Sequence, residues 1–374
     1  MEILFYYGLP LLVSFISLLV GFLVLTFFGI GFVGAIKVGL LDPITSRYGL
    51  VNIISRAITL LLCAIGLIIA FRAGQWNIGA EGQILIGATM ATWVALFLMP
   101  DQSPLIIIPT MYILGFIGGG LWALIPGLLK AKFDANEVLT TMMMNYIAFG
   151  IVSYLIVGPW RGKHVYGYET TDVFPDNARL PVISRNIPIP YTSLIIALVS
   201  SVVVYYMLYR TKFGLELRTI GSNPSAAKAC GIPYERTVVL SMLLSGGFAG
   251  LAGVNEVAGL HYQLRFPPTQ ISGGYGFVSI LVAFISRLNP LGAIFASILV
   301  GFIIISGYYI QISFGTRRLI IDMFTGLILM SIVSMELLYR YRIEIRIYVK
   351  NEWLRRAIER IKGVKRWLFR WLRH

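Results

Sequence analysis

The sequence predicts an all-α fold: a polytopic membrane protein of about ten transmembrane helices, at least one of them discontinuous. Three observations carry that prediction. Of 374 residues, 57% are hydrophobic and 13% charged, whereas soluble domains run near ~25% charged. The apolar residues come in unbroken runs long enough to cross a bilayer, not in the alternating ~10-residue segments of a membrane β-barrel. One junction between two runs, residues 74–87, sets Asn77, Glu81 and Gln83 among four glycines.

In chain order the apolar runs lie roughly at 11–38, 51–71, 78–99, 104–128, 138–158, 191–209, 237–259, 275–288, 290–311 and 319–338. The first is long and no small-residue cleavage site follows it, so it reads as a retained helix and not a signal peptide. Two polar segments stand out, 159–190 and 210–236. Within the second, Asn223 and Pro224 open a short helix that Gly231 and Pro233 close. Asn before Pro is a cap followed by a first-turn proline, and Gly then Pro is a stop signal. Such a helix either is presented to a partner or only tidies a long loop.

The net charge of +14 is unevenly spread: residues 340–374 hold twelve Arg or Lys against three Glu. The chain therefore divides into a membrane domain, 1–339, and a basic tail, 340–374. Nucleic-acid binding is a poor account of the high pI. In the tail, Leu354, Ile358, Ile361, Val364, Leu368 and Leu372 recur at helical spacing, with Trp353, Trp367 and Trp371 beside them. Arg355, Arg356, Lys362, Lys365, Arg366 and Arg370 fill most of the opposite face. A basic amphipathic helix with tryptophans suits anionic headgroups; a solvated helix that only fixes topology is the plainer reading. The tail should lie in the cytoplasm by the positive-inside rule. With ten spans both termini are then cytoplasmic, 210–236 is inside and 159–190 outside.

Four sets of polar or small residues interrupt the apolar runs. In the first, Asn77 and Glu81 share a face of a continuous helix, while Gln83 joins them only if the helix breaks near Gly79 or Gly82. A carboxylate at membrane depth costs at least ~2.5 kcal/mol, so it marks a water-lined site or is paired, with Arg56 and Arg72 the available partners. In the second, Glu137, Thr141 and Asn145 form a stripe at i, i+4 and i+8, read either as pathway lining or as interhelical hydrogen bonding. The third holds Gly246, Gly250 and Gly253, whose small-residue spacing points to close helix packing. In the fourth, Tyr275 and Phe277 flank Gly276 and offer aromatic faces to a planar ligand, or an interface anchor. Trp76 is a third such face.

Other chemistry lacks its parts. No phosphate-binding loop of the Gly-x4-Gly-Lys-Ser/Thr kind occurs, so ATP hydrolysis is not expected in this chain. His164, His261 and His374 are scattered, and neither His-Glu-x-x-His nor Gly-x-Ser-x-Gly appears. Cys63 and Cys230 are too few and too far apart for a disulfide framework or a Cys-rich metal site, so no metal is expected.

Residues 77–83, Asn-Ile-Gly-Ala-Glu-Gly-Gln, resemble the signature of inner-membrane permeases of nucleoside-type ABC importers, within the superfamily of ribose and branched-chain amino acid permeases. Asn136-Glu137-Val138 with Met144-Asn145-Tyr146, and Gly221 through Ile232, resemble further segments of the same permeases. The Ser245–Gly253, Gly274–Phe277 and Asn289–Gly292 segments follow in the family's order. The resemblance implies a second, non-identical permease subunit, two cytoplasmic ATPase domains carrying the ATP and magnesium, and an external substrate-binding lipoprotein. It implies ATPase coupling through Arg218, Asn223, Pro224, Ala226, Ala227 and Gly231. It also implies a substrate pathway past Trp76, Asn77, Glu81, Gln83, Glu137, Thr141, Asn145, Tyr275 and Phe277. The competing readings are an ion-driven transporter of a small polar solute, with Glu81 and Glu137 as ion sites, and an ABC permease for sugars or amino acids.

Overall fold

The computed structural model describes residues 21–23, 25, 26, 29–163, 167, 169–184 and 186–340, excepting the side chains of 332–340. The basic amphipathic helix expected over 340–374 lies outside them. The chain divides into two units, Met1–Val333 and Ser334–His374; of the second, the backbone of 334–340 is described, and it is helical.

The first unit is a helical bundle. Much of the expected first span, 11–38, lies outside the described residues; its end is helical in pieces, α1 (Phe32–Ile36) and a wider π turn at Lys37–Leu41, and α2 (Asp42–Thr45) follows. Ser46 then caps α3 (Arg47–Arg72), its hydroxyl accepting from the Gly49 N–H at 2.9 Å. From Ala57 to Ala70 every side chain of α3 is buried. A helix apolar on all sides suits the interior of a bundle as well as lipid, and α3 takes the interior.

The chain unwinds over residues 73–79 and re-enters helix as α4 (Ala80–Trp93), prolonged by a π turn to Leu98. Next come α5 (Pro104–Phe133) and α6 (Glu137–Val157), the latter capped by Asn136, whose Oδ1 accepts from the Val138 and Leu139 N–H groups. Then follow α7 (Tyr191–Arg210), α8 (Lys212–Ser222), α9 (Pro224–Ala229) and α10 (Tyr234–Val254), which continues as a π segment to His261. The last helices are α11 (Thr269–Ser272), α12 (Tyr275–Ile285), α13 (Pro290–Phe314) and α14 (Arg318–Arg340). Asn223 and Asn289 cap α9 and α13, each directly before a first-turn proline.

Among the described residues, seven helices are long and apolar enough to cross a membrane, at seven of the ten expected positions. The run at 275–288 is different: α12 has eleven residues. At 1.5 Å per residue it is about 17 Å long, half a bilayer.

The described residues are mostly helical, as expected of an all-α fold, and segment 159–190 adds one small antiparallel hairpin, β1 (Val182–Ser184) with β2 (Ile187–Pro190). Residues 169–174 are stitched to the loop after α10 by main-chain bonds, Thr171 N–H to Leu264 O, Phe174 N–H to Tyr262 O and Phe266 N–H to Glu169 O. That pairing lets backbone outside any helix satisfy its own donors and acceptors. Segment 210–236 holds two short helices, not one. The extra helix, α8, carries an apolar row at Leu217 and Ile220 that the charges around it hid from a reading of composition.

Helices α4, α5 and α10 pack through glycine. A Cβ built on Gly246 or Gly250 of α10 would strike the carbonyl of Gly119 or Gly115 on α5, and one on Gly253 would strike that of Ile84 on α4. The exclusion is reciprocal, since a Cβ on Gly119 meets Gly246 O and one on Gly87 meets Gly250 O. In lipid, helices gain little from hiding apolar surface from each other, so such close backbone contact is how they associate.

Candidate functional site

The unwound stretch 73–79 is bounded by Gly74 and Gly79, and side chains of α6 take over its backbone groups. Gly74 has φ of +72°, which favours glycine. Ile78 N–H donates to Thr141 Oγ1 (3.2 Å), and Asn145 Nδ2 donates to Ile78 O (3.0 Å). Asn145 Oδ1 also accepts from Gly82 N–H at 2.8 Å. Broken backbone is tolerated at membrane depth when its polar groups are satisfied in this way.

Asn77 and Gln83 meet in a reciprocal amide pair. Asn77 Nδ2 donates to Gln83 Oε1, and Gln83 Nε2 donates to Asn77 Oδ1, both at 3.0 Å. Asn77 Oδ1 also accepts from Gly79 N–H (3.0 Å), and its Nδ2 donates to Ser245 Oγ of α10 (2.9 Å). Both side chains are buried. The break before Ala80 thus unites Asn77 with Gln83, as expected for a broken helix. Glu81 does not join them. The shared face of Asn77 and Glu81 required a continuous helix, and the turn at Gly79 removes it.

Glu81 faces α12 instead. Its Oε1 accepts from the main-chain N–H of Gly276 at 2.8 Å, in the first turn of α12. The two helices start against each other: a Cβ on Gly276 would lie 2.8 Å from the carbonyl carbon of Ala80. Gly273 and Gly274, at φ of +55° and +76°, make the turn that brings α12 there. Two helix N-termini, each a partial positive charge, therefore adjoin one buried carboxylate. Neither arginine anticipated for Glu81 pairs with it. Arg56 Nη1 binds Glu256 Oε2 at 3.0 Å, while Arg72 binds Tyr209 Oη and two carbonyls.

The remaining candidates divide. Thr141 and Asn145 belong to the centre, but Glu137 does not: its carboxylate pairs with Lys130 Nζ at 3.2 Å. The same Lys130 binds Asp134 at 2.8 Å and holds that exposed carboxyl below the usual carboxylate range. Tyr275 is buried, with the Arg56 guanidinium 5.2 Å from its ring centroid, so its face is covered. Trp76 and Phe277 remain open, 47% and 42% exposed. Trp76 packs beside Phe71 and Phe284, at centroid distances of 5.5 and 5.8 Å.

A second polar cluster was not anticipated as a unit. Glu256, buried in the π segment, accepts from Arg56 and from Thr59 Oγ1 (2.5 Å) and lies 3.4 Å from His261 Nε2. Asn255 Nδ2 donates to Thr59 Oγ1 at 2.9 Å. An arginine and a glutamate in two apolar runs are the signal in the sequence; their pairing across 200 residues is not.

Helices interrupted inside the bundle, meeting at a buried polar centre and flanked by membrane-length neighbours, make up a membrane transport protein. The chain belongs to the family described as branched-chain amino acid transport system / permease component, matched over residues 49–333. It is 30% identical to a glucose ABC transporter permease protein of Haloferax volcanii over 91% of this chain and 90% of the relative. It is 32% identical to a guanosine ABC transporter permease protein of Bacillus subtilis, over 73% and 78% of the two chains. A nucleoside ABC transporter permease protein of Lactococcus lactis is 34% identical over 64% and 67%. No solved structure matches the chain. It is therefore a multi-pass permease subunit of an ABC importer in a prokaryotic cell membrane, and the ion-driven alternative is set aside.

Proposed function

We propose that this permease subunit imports nucleosides, with the break at 73–79 and the start of α12 forming the centre of its half of the pathway. The observation that carries this is the likeness to guanosine and nucleoside permeases in two organisms, at 32% and 34% identity. Trp76 and Phe277, the open aromatic residues, supply faces for a planar base. Asn77, Gln83, Thr141 and Asn145 hold the break in shape, since their polar groups bond one another and the backbone. Glu81 holds α12 against α4. Helices α8 and α9, with Arg218, Asn223, Pro224, Ala226, Ala227 and Gly231, dock the ATPase subunits on the cytoplasmic side. A second, non-identical permease and an external binding lipoprotein complete the importer. Ten membrane passages place both termini inside.

Radiolabelled guanosine uptake by proteoliposomes holding the assembled importer tests the reading. Wild-type uptake should need ATP and be competed by other nucleosides. Glu81→Gln and Asn77→Ala should abolish it while the complex still assembles; normal uptake in both sinks the site assignment. A second reading is favoured by the Haloferax relative, whose printed substrate is glucose and whose match covers 91% of this chain. Glucose uptake that guanosine fails to compete would select it.

A further inference from the structure

The unwound stretch and α12 have their other ends tied to one residue, Arg72. It closes α3, and residues 73–79 run from it to Asn77 and Glu81. Its Nε donates to Leu288 O at 3.1 Å and its Nη2 to Arg287 O at 3.3 Å. Those carbonyls belong to the turn after α12, where Arg287 and Leu288 hold φ of +55° and +56°. Such conformations are strained for non-glycine residues and persist only where the surroundings hold them. A cation on the last carbonyls of a helix is also a favourable partner for its dipole.

The same guanidinium reaches the end of α7, directly before the 210–236 segment. Arg72 Nη2 donates to Tyr209 Oη at 2.9 Å, and Arg218 of α8 lies 5.4 Å from the Tyr209 ring centroid on its own account. Behind the side chains the backbones touch. A Cβ on Gly221, near the end of α8, would strike the Arg72 carbonyl oxygen and lie 3.1 Å from Gly74 N. A Cβ on Gly74 would lie 3.2 Å from the Gly221 Cα. No side chain stands between α8 and the stretch that leads to the polar centre.

We propose that Arg72, seated on Tyr209 and on the Gly74–Gly221 backbone contact, is the joint that carries a movement of α8 and α9 into both α4 and α12. The joint rests on the docking of the ATPases at α8 and α9 proposed above. Arg72 is a positioning residue: it touches the elements that carry the centre, not the solute. Direct backbone contact passes a push on α8 to the unwound stretch with no side chain between to yield, and the fork of Arg72 ties the turn after α12 to the same point.

The test uses the assembled importer in proteoliposomes, with guanosine and ATP, and reads guanosine moved per ATP hydrolysed. Arg72→Ala and Gly221→Ala should lower that ratio by about tenfold, inside the usual range of coupling between sites. Arg72→Lys keeps the charge and loses the fork, and Tyr209→Phe loses one hydroxyl; both should lower the ratio with assembly intact. Should Arg72→Ala fail to assemble, these two milder variants decide. Ratios at the wild-type value in both overturn the joint. ATPase subunits that cross-link elsewhere than at α8 and α9 refute the docking on which it rests, and a wild-type complex that moves no guanosine refutes the nucleoside reading instead.

Discussion

The Asn77–Gln83 pair yields a quantitative prediction. Asn77→Leu removes four buried hydrogen bonds: two to the Gln83 amide, one to Ser245 and one from Gly79 N–H. At ~0.6 kcal/mol each for interhelical bonds in membranes and ~1 kcal/mol in soluble folds, the loss is about 2.5–4 kcal/mol. Gln83→Leu removes only the two shared bonds, so it costs about 1–2 kcal/mol, because Asn77 keeps Ser245 and Gly79. In the double variant nothing is left for the second change to remove, and no side-chain amide remains buried without a partner. It should be no less stable than Asn77→Leu alone, a coupling of about 1–2 kcal/mol. Unfolding of the purified protein in detergent, followed by circular dichroism for wild type, both single variants and the double variant, measures it. Single effects that add within about 0.5 kcal/mol would refute the paired geometry.

Four further outcomes follow from other sites. Gly250→Ala forces a methyl group into the Gly115 carbonyl and should destabilise by about 1–3 kcal/mol. Gly150→Ala in α6, where nothing lies within 4 Å, should be neutral or stabilising by up to ~1 kcal/mol in the same melt. Arg56→Ala leaves the buried Glu256 carboxylate without its guanidinium and should cost about 3–5 kcal/mol, with Glu256→Gln restoring part of the loss in the double variant. Asp134 is held acidic by Lys130, so its contribution is full at neutral pH and fades as acid protonates it, below about pH 4. The stability gap between wild type and Asp134→Asn should therefore close on acidification; a gap that widens would reverse the assignment.

Much of the architecture was legible from apolar periodicity, because a bilayer imposes run lengths that few soluble folds imitate. The Asn-Pro start read correctly at α9, since a cap and a first-turn proline are local chemistry; the same pair at Asn289 and Pro290 opens α13. The break before Ala80 was legible in the density of glycine and amide residues. What those side chains do was not. Helical-face geometry put Glu81 beside Asn77, but the unwound turn at Gly79 changes the angle between them. The partner of Glu81 proved to be a backbone N–H, which no side-chain pattern signals. Glu137 matched the stripe by spacing and departed from it because Lys130, one helix away, was nearer. Helix α8 was missed because its two buried apolar residues sit among charges, and the β1–β2 hairpin because three- and four-residue strands leave almost no period to find.

The glycine seam of α4, α5 and α10 has a kinematic consequence. Each carbonyl of one helix occupies the hollow left by a missing side chain on the next, and the arrangement repeats in both directions at Gly119 and Gly246. Surfaces meshed like this resist axial sliding, because a shift of one residue, 1.5 Å, drives a carbonyl out of its hollow and onto a neighbouring side chain. The three helices therefore behave as one ratchet-locked block with no shear of its own. Any alternation in this subunit must turn that block as a whole, or swing lighter parts such as α12 against it.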